Sequence, residues 1–412
     1  MSQLPVDGSG SGDFSGPAVP TASHRPALAR VVGDVEGFAR DTWGREPLLR
    51  SAADPSGFTD LLTEGAVDEL LAERGLRTPF VRVAMDGRTL AHADFTAPGG
   101  LGAGIADQVS DDKLTSLFAG GSTLVLQALH RTRPPIIRFC QQLAADLGHP
   151  VQANAYVTPP QNQGFDDHYD VHDVFVLQVA GRKKWSIHAP VHPSPLRDQP
   201  WTDRRDSVRR AAREKAVIET VLEPGDVLYL PRGYLHSATA LGGVTVHLTL
   251  GIHSWTRYAV AEELVALALH SLADDGEVRS SLPLGTDLAA GSLDADRLIA
   301  KLTHVLARLD PEDVADRLRA RRQSAQRAAP VGPLAQHALA TSLSEDTALR
   351  LRCHLDARLE DGAVTSRAGA VSVDGIPDAV VERLLAGDGI TAGDLGLSTA
   401  RTLVEAGLVV AG

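Results

Sequence analysis

GFDDHYDVHDVFVLQVAGRKKW, residues 164–185, joins a histidine- and aspartate-rich turn to an apolar run of the kind found in buried strands. His168 and Asp170 stand two apart, and on extended backbone that spacing sends both side chains to the same face. One imidazole and one carboxylate can therefore meet a single metal ion. Two β runs follow, DVFVLQVA and RKKWSIHAP, meeting at Ala180-Gly181.

A third ligand has to come from another part of the chain. His236 is the best-placed candidate: it follows the turn GDVLYLPRGY, opens a strand and lies 236 − 168 = 68 residues downstream. Two histidines and a carboxylate on one face, with coordination positions left open, are the donor set of non-haem iron(II) oxygenases. The H-x-D pattern alone is weak, because a chain with 15 histidines and many aspartates produces it by chance. His92/Asp94, in LAHADF, has no strand-borne histidine behind it. His354/Asp356, in RLRCHLDARLE, falls in a segment that reads as helical, where residues two apart diverge. Only His168/Asp170 has both the strand context and a downstream partner. Strand alternation also turns one of Lys183 and Lys184 inward, as counter-charge for an acid bound at the metal. A solvated basic pair is the plain alternative.

Working outward, VIETVLEPGDVLYLPRGYLHSATA gives three short β runs. VTVHLTLGI alternates Val244, Val246, Leu248, Leu250 and Ile252 with Thr245, His247 and Thr249. Short strands punctuated by Gly and Pro over 151–255 predict a sandwich or barrel. Upstream, EGAVDELLAERG predicts a helix ending at Gly75, PFVRVAMDGRTL a hairpin about Asp86-Gly87, and RPPIIRFCQQLAADLG an amphipathic helix closed by Gly148. Residues 1–30 read as a disordered Gly/Ser/Pro-rich tail, with regular structure starting near Val31. The domain that carries the candidate metal site is expected over 31–257. A helical region at 258–335 follows, with apolar stripes in YAVAEELVALALHSLADD and DADRLIAKLTHVLARL. From 336 to 412, two short helices, DAVVERLLAG and LSTARTLVEAG, and a closing LVV strand suggest a small winged-helix-like domain.

Composition sets the outer limits. The 412 residues are 43% apolar and 22% charged, which is enough for a buried core. A net charge of −12 argues against non-specific nucleic-acid binding and favours a basic protein or peptide as partner. Two distant cysteines, Cys140 and Cys353, exclude a disulfide framework and a cysteine-rich zinc site, and suit a reducing compartment. With no signal-peptide pattern and no membrane-length apolar run, the chain is expected to be soluble and cytoplasmic.

The segments NAYVTPPQNQGFDDHYDVHDVFVLQVAGRKKW and GDVLYLPRGYLHSA, with FARDTWGREPLLR at 38–50, resemble the JmjC-type ribosomal oxygenases of the cupin superfamily. The likeness is dense from about 36 to 255. It implies a mixed α and β chain whose catalytic core is a double-stranded β-helix, followed by a helical dimerisation region and a winged-helix-like domain, working as a homodimer. It implies iron(II) held by His168, Asp170 and His236, with 2-oxoglutarate and O2 as cosubstrates. Succinate and CO2 would be the coproducts of hydroxylating an Arg or His side chain on a ribosomal protein. By position Lys183 pairs with the far carboxylate of 2-oxoglutarate, which sends Lys184 outward, and Asn154 and Tyr156 line the cosubstrate pocket. One departure is Gly251, just after HLTL, where eukaryotic relatives tend to have a serine; Thr249 or His247 would then supply that contact.

Plainer readings stand beside these. His172, His188 and His192 read as surface residues, and His247 as either a pocket residue or a satisfied interior one. The basic run RLRARRQSAQR at 317–327 reads as a solvated helix face, and the acid-rich C-terminal stretch is not expected to contact nucleic acid. The same chemistry could act on a peptide natural product, a small molecule or an N-methyl-lysine. A metal-binding cupin without turnover, serving as sensor or scaffold, is the rival from another class.

Overall fold

The computed structural model describes residues 25–412 except 53, 55, 86 and 288–294, so residues 1–24 of the expected tail lie outside it. Regular structure begins earlier than expected: Pro26–Val32 is helical, with Pro at its start and Ala27, Leu28, Val31 and Val32 buried. Residues 26–30 are therefore not tail. Their apolar positions were too few to stand out beside the Pro-rich stretch that precedes them.

The strand-rich sequence forms a nine-stranded sheet. In chain order its strands are Leu48–Arg50 (β1), Val81–Met85 (β2), Arg88–Thr89 (β3), Thr123–Leu126 (β4), Val151–Thr158 (β5), Asp173–His188 (β6), Ile218–Leu222 (β7), Val227–Leu230 (β8) and Leu235–Ile252 (β9). The order is β1-β8-β6-β9-β5-β4-β2-β3, with β7 paired to β6. β8 runs antiparallel to the first half of β6, Val227↔Leu177 to Leu230↔Val174. β7 runs antiparallel to its second half, Lys183↔Leu222 to Ile187↔Ile218.

The two β runs expected on either side of Ala180-Gly181 are one strand. Gly181 carries the chain through at φ +65°, and a Cβ there would collide with the carbonyl oxygen of Val244. A glycine between β runs signals a turn or a bend inside one strand equally well, and here it is the bend. LHSATA and VTVHLTLGI likewise fuse into β9 through Gly242, at φ +78°. Both faces of these strands are covered: Thr245 and His247 are as buried as Val246 and Leu248. The FARDTWGREP segment packs on the sheet through rings, Phe38 edge-on to Tyr229 at 4.9 Å and Trp43 stacked on it at 5.9 Å. The Tyr229 hydroxyl accepts the Gly44 N–H at 2.9 Å.

The chain divides into two compact units, 1–125 with 155–249, and 126–154 with 250–412. In the second, the Pro134–Leu147 helix buries Ile136, Phe139, Cys140, Leu143 and Ala144 and ends at Gly148 in the left-handed conformation, as its periodicity predicts. The helical region consists of Arg257–Leu272, Asp296–Leu306 and Pro311–Ala325. Its basic run is more than a solvated face. Arg317 and Arg321 each donate at 2.7 Å to the buried Glu263, and Arg321 also covers the Trp255 ring. The Pro333–Thr341 helix crosses the expected boundary at 335/336.

Beyond it, helices Asp378–Ala386 and Leu397–Glu405 and short strands close on a core of Leu349, Val364, Leu384, Ile390, Leu403 and Val409. RLRCHLDARLE is not helical. Ala348–Leu351 is a strand, and His354 and Asp356 follow at φ +57° and +58° in a turn. Strand pairing with Val409–Ala411 overrides the local helical preference there. No described helix is long and apolar enough to cross a membrane.

Candidate metal centre

His168 and His236 meet because the backbone pairs them. The His168 N–H donates to the His236 carbonyl at 3.3 Å, and the His236 N–H returns the bond to His168 at 2.8 Å, an isolated antiparallel bridge. Their rings lie 4.5 Å apart. Asp170, two residues on, is tied by its carbonyl to the Gly233 N–H at 3.0 Å. Gly233 sits at φ +94° with the His192 carbonyl 2.6 Å from where a Cβ would stand. The PRGY turn therefore needs a glycine to bring β9 back to the H-x-D segment.

One donor atom from each of His168, Asp170 and His236 lies within 4.8 Å of the others. The closest named pair is His236 Nε2 to Asp170 Oδ2, at 3.7 Å. Both rings are oriented alike: His168 Nδ1 lies 2.7 Å from the Asp166 carbonyl, and His236 Nδ1 lies 3.1 Å from that of Tyr234. A carbonyl only accepts, so each Nδ1 carries the proton and each Nε2 presents a lone pair. Burial, then the neighbouring His168, lowers the His236 pKa to about 4, so the ring is neutral at physiological pH. Burial acts to raise Asp170, but electrostatic interaction with His172, His236, His168 and Arg82 outweighs it, and its carboxyl lies below the usual range. Two neutral imidazoles and one carboxylate on one side of an ion fit iron(II) and leave positions for further ligands.

The cavity beside these donors holds about 530 Å³ of empty space, part of it open to solvent, with Tyr156, Lys183, His247 and Thr249 in its wall. Lys183 is 3% exposed and donates to Thr158 Oγ1 at 3.1 Å, with no carboxylate partner among the described residues. Burial pulls its pKa down to about 7. Lys184 points outward, 3.7 Å from Glu219, as alternation requires once Lys183 is inside. Tyr156 lies flat on His247, centroids 5.0 Å apart and planes 3° from parallel. His247 is thus a cavity residue, with its Nδ1 lacking a partner among the described residues, as does Trp185 Nε1 nearby.

Asn154 is used elsewhere. Its Oδ1 accepts the Ala128 N–H at 3.0 Å, bracing a residue held at φ +56°, and it is not among the residues around this cavity. His188, read as a surface residue, is 7% exposed at the end of β6, although it shares the outward parity of Lys184. Thr158, which accepts from Lys183, and the cavity residues Thr123, Phe165 and Trp185 were missed. Thr158 had a signal, since it ends the alternating strand that carries Tyr156.

Residues 127–260 match the family model of the JmjC domain. That segment includes His168, Asp170 and His236. Homologues of the chain include a protein of Aedes aegypti named bifunctional lysine-specific demethylase and histidyl-hydroxylase NO66. That protein is 28% identical over 300 residues, 68% of this chain and 44% of the relative. Ribosomal oxygenase 1 of Rattus norvegicus is 32% identical over 256 residues, 60% of this chain and 40% of the relative. The chain thus spans less than half the length of these curated relatives. Among solved structures, the Escherichia coli ribosomal oxygenase YcfD superposes with a TM-score of 0.52 at 18% identity, covering 92% of this chain and 98% of that one. The chain accordingly shares the fold of YcfD. YcfD has also been solved in complex with cobalt and 2-oxoglutarate.

Proposed function

We propose that this chain is an iron(II)- and 2-oxoglutarate-dependent oxygenase that hydroxylates an Arg or His side chain of a ribosomal protein. The observation that carries the reading is the convergence of His168, Asp170 and His236, with both Nδ1 atoms pinned by carbonyls. Support for the substrate class comes from the names of the homologues and from the chain's charge of −12, which suits a basic partner.

In this reading His168, Asp170 and His236 hold the metal, and Lys183 neutralises the far carboxylate of 2-oxoglutarate while Thr158 steadies its ammonium. Tyr156, His247 and Thr249 wall the cosubstrate, and the aromatic lining of Phe165 and Trp185 limits water. Iron(II), when bound, supplies the activation of O2 by which 2-oxoglutarate becomes succinate and CO2 and one oxygen atom enters a substrate C–H bond. The apolar side chains left exposed on the helical region, among them Tyr258, Val265, Leu269 and Ile299, support a homodimer built through it. Two free cysteines, one of them exposed, suit a cytoplasmic location.

The test is incubation of the protein with iron(II), 2-oxoglutarate and a mixture of ribosomal proteins. The expected result is succinate formation and a one-oxygen mass increase on one ribosomal protein, both abolished in His168→Ala. Succinate without any modified ribosomal protein would reject the substrate. Metal binding without succinate under any condition would instead favour a sensor.

A further inference from the structure

A recess within the second unit leaves positive charge only partly compensated. It lies where the Pro134–Leu147 helix, the start of β5 and the chain after Pro311–Ala325 come together, with about 400 Å³ of empty space, part of it open to solvent. Arg131 and Arg327, both exposed, stand in its wall with His130 and His354. Gln141 Nε2 donates to the Arg327 carbonyl at 3.0 Å, fixing that loop on the helix. His130 Nδ1 accepts the Ala153 N–H at 3.1 Å, which puts the ring proton on Nε2 as a donor. Arg352 is anchored to the carbonyls of Ala329 at 2.6 Å and Gly407 at 3.3 Å.

Arg131, Arg327, Arg352 and Arg367 feel one another. Burial, then the charges of Arg327 and Arg367, lowers Arg131; burial, then Arg367 and Arg327, lowers Arg352. Burial also lowers Arg367, with Arg327 adding to it against the pull of Asp356. None of the four is in an ion pair among the described residues, in a chain of net charge −12, whereas nearby Arg322 takes Asp356 at 2.5 Å. Like charges gathered with only partial compensation, Asp356 acting on Arg367 and Asp146 and Asp356 on His354, oppose folding, and the planar guanidinium fork matches a tetrahedral oxyanion. The floor is apolar, with Ile137, Ala144 and Val151, so a charged group at the mouth can carry a small organic body inward.

We propose that this recess binds the phosphate group of a small molecule, gripped by Arg131 and Arg327. The source is either inorganic phosphate or a mononucleotide, and both share the recognised chemistry.

Calorimetric titration of the full-length protein with inorganic phosphate and with adenosine monophosphate, at ionic strength matched by chloride, tests this. The wild type is expected to bind, and Arg131→Ala/Arg327→Ala to bind at least tenfold more weakly, with an intermediate loss in the Arg131→Lys/Arg327→Lys variant. Lys183→Ala is expected to bind like the wild type, which separates this recess from the metal-side cavity. Tighter binding of the nucleotide than of phosphate identifies the nucleotide as the source, and equal binding identifies free phosphate. Absence of binding by the wild type, or binding lost in Lys183→Ala and kept in the double alanine variant, overturns the proposal.

Discussion

Lys183 shows how one side chain couples chemistry to pH. Its ammonium is buried beside a threonine hydroxyl with no carboxylate opposite, and burial alone brings its pKa to about 7. A bound carboxylate favours the charged form and raises that pKa, so binding takes up a proton wherever free Lys183 is neutral. Below pH 7 the lysine is already charged and 2-oxoglutarate affinity should be flat. Above it affinity should fall, by about fivefold between pH 7 and 8 from the fraction protonated, measured as Kd on the manganese(II)-loaded protein. Lys183→Ala should weaken 2-oxoglutarate by roughly ten- to hundredfold, since a charged hydrogen bond contributes about 1.5–3 kcal/mol. Manganese affinity in the same titration should stay within twofold of wild type. At this scale the sequence was informative where side-chain alternation decides. It sent one of Lys183 and Lys184 inward, the resemblance assigning that place to Lys183, and it aligned His168 with Asp170. It could not show that Asn154 would be occupied by the Ala128 N–H, because that bond depends on a turn at positive φ far away in the chain.

Strands β6 and β9 both pass through a glycine in the left-handed region, yet the two glycines differ in surroundings. Gly181 faces the Val244 carbonyl and the Thr245 Cα, whereas Gly242 has open space around it. Gly181→Ala should therefore suffer both backbone strain, about 1–3 kcal/mol, and a steric clash. Gly242→Ala should suffer only the strain. Urea unfolding of the two variants is expected to rank them in that order; equal losses would mean that β6 shifts freely past β9. The same pair explains why element boundaries were harder to read than element types. Apolar runs marked where strands lie, but a glycine between runs does not say whether the chain reverses or merely bends. Likewise, the tertiary pairing that makes 348–351 a strand and leaves 352–357 outside helix and strand is invisible in a locally helical-looking stretch.

At the scale of the whole molecule, the helical region is the part least able to cover itself. Leu298 and Ile299 on the Asp296–Leu306 helix are 38% and 57% exposed, and no residue of that helix is buried. Ile299→Glu combined with Leu298→Glu should convert a dimer into a monomer in light-scattering chromatography; an unchanged mass would exclude this face from assembly. The periodicity of the helical region marked its helices, but its expected end at 335 falls inside the Pro333–Thr341 helix, and the partner of its basic run was not legible, since Glu263 lies 54 residues before Arg317. The paired bonds between His168 and His236 have a larger reach than the two residues themselves. They make the intervening 67 positions, 169–235, a lasso knotted at the point where a metal would sit. Stripping the ion should slacken that knot, so deuterium uptake at the amides of 168 and 236 should quicken in chelator and slow again when manganese is restored, well before any loss of overall helix or sheet.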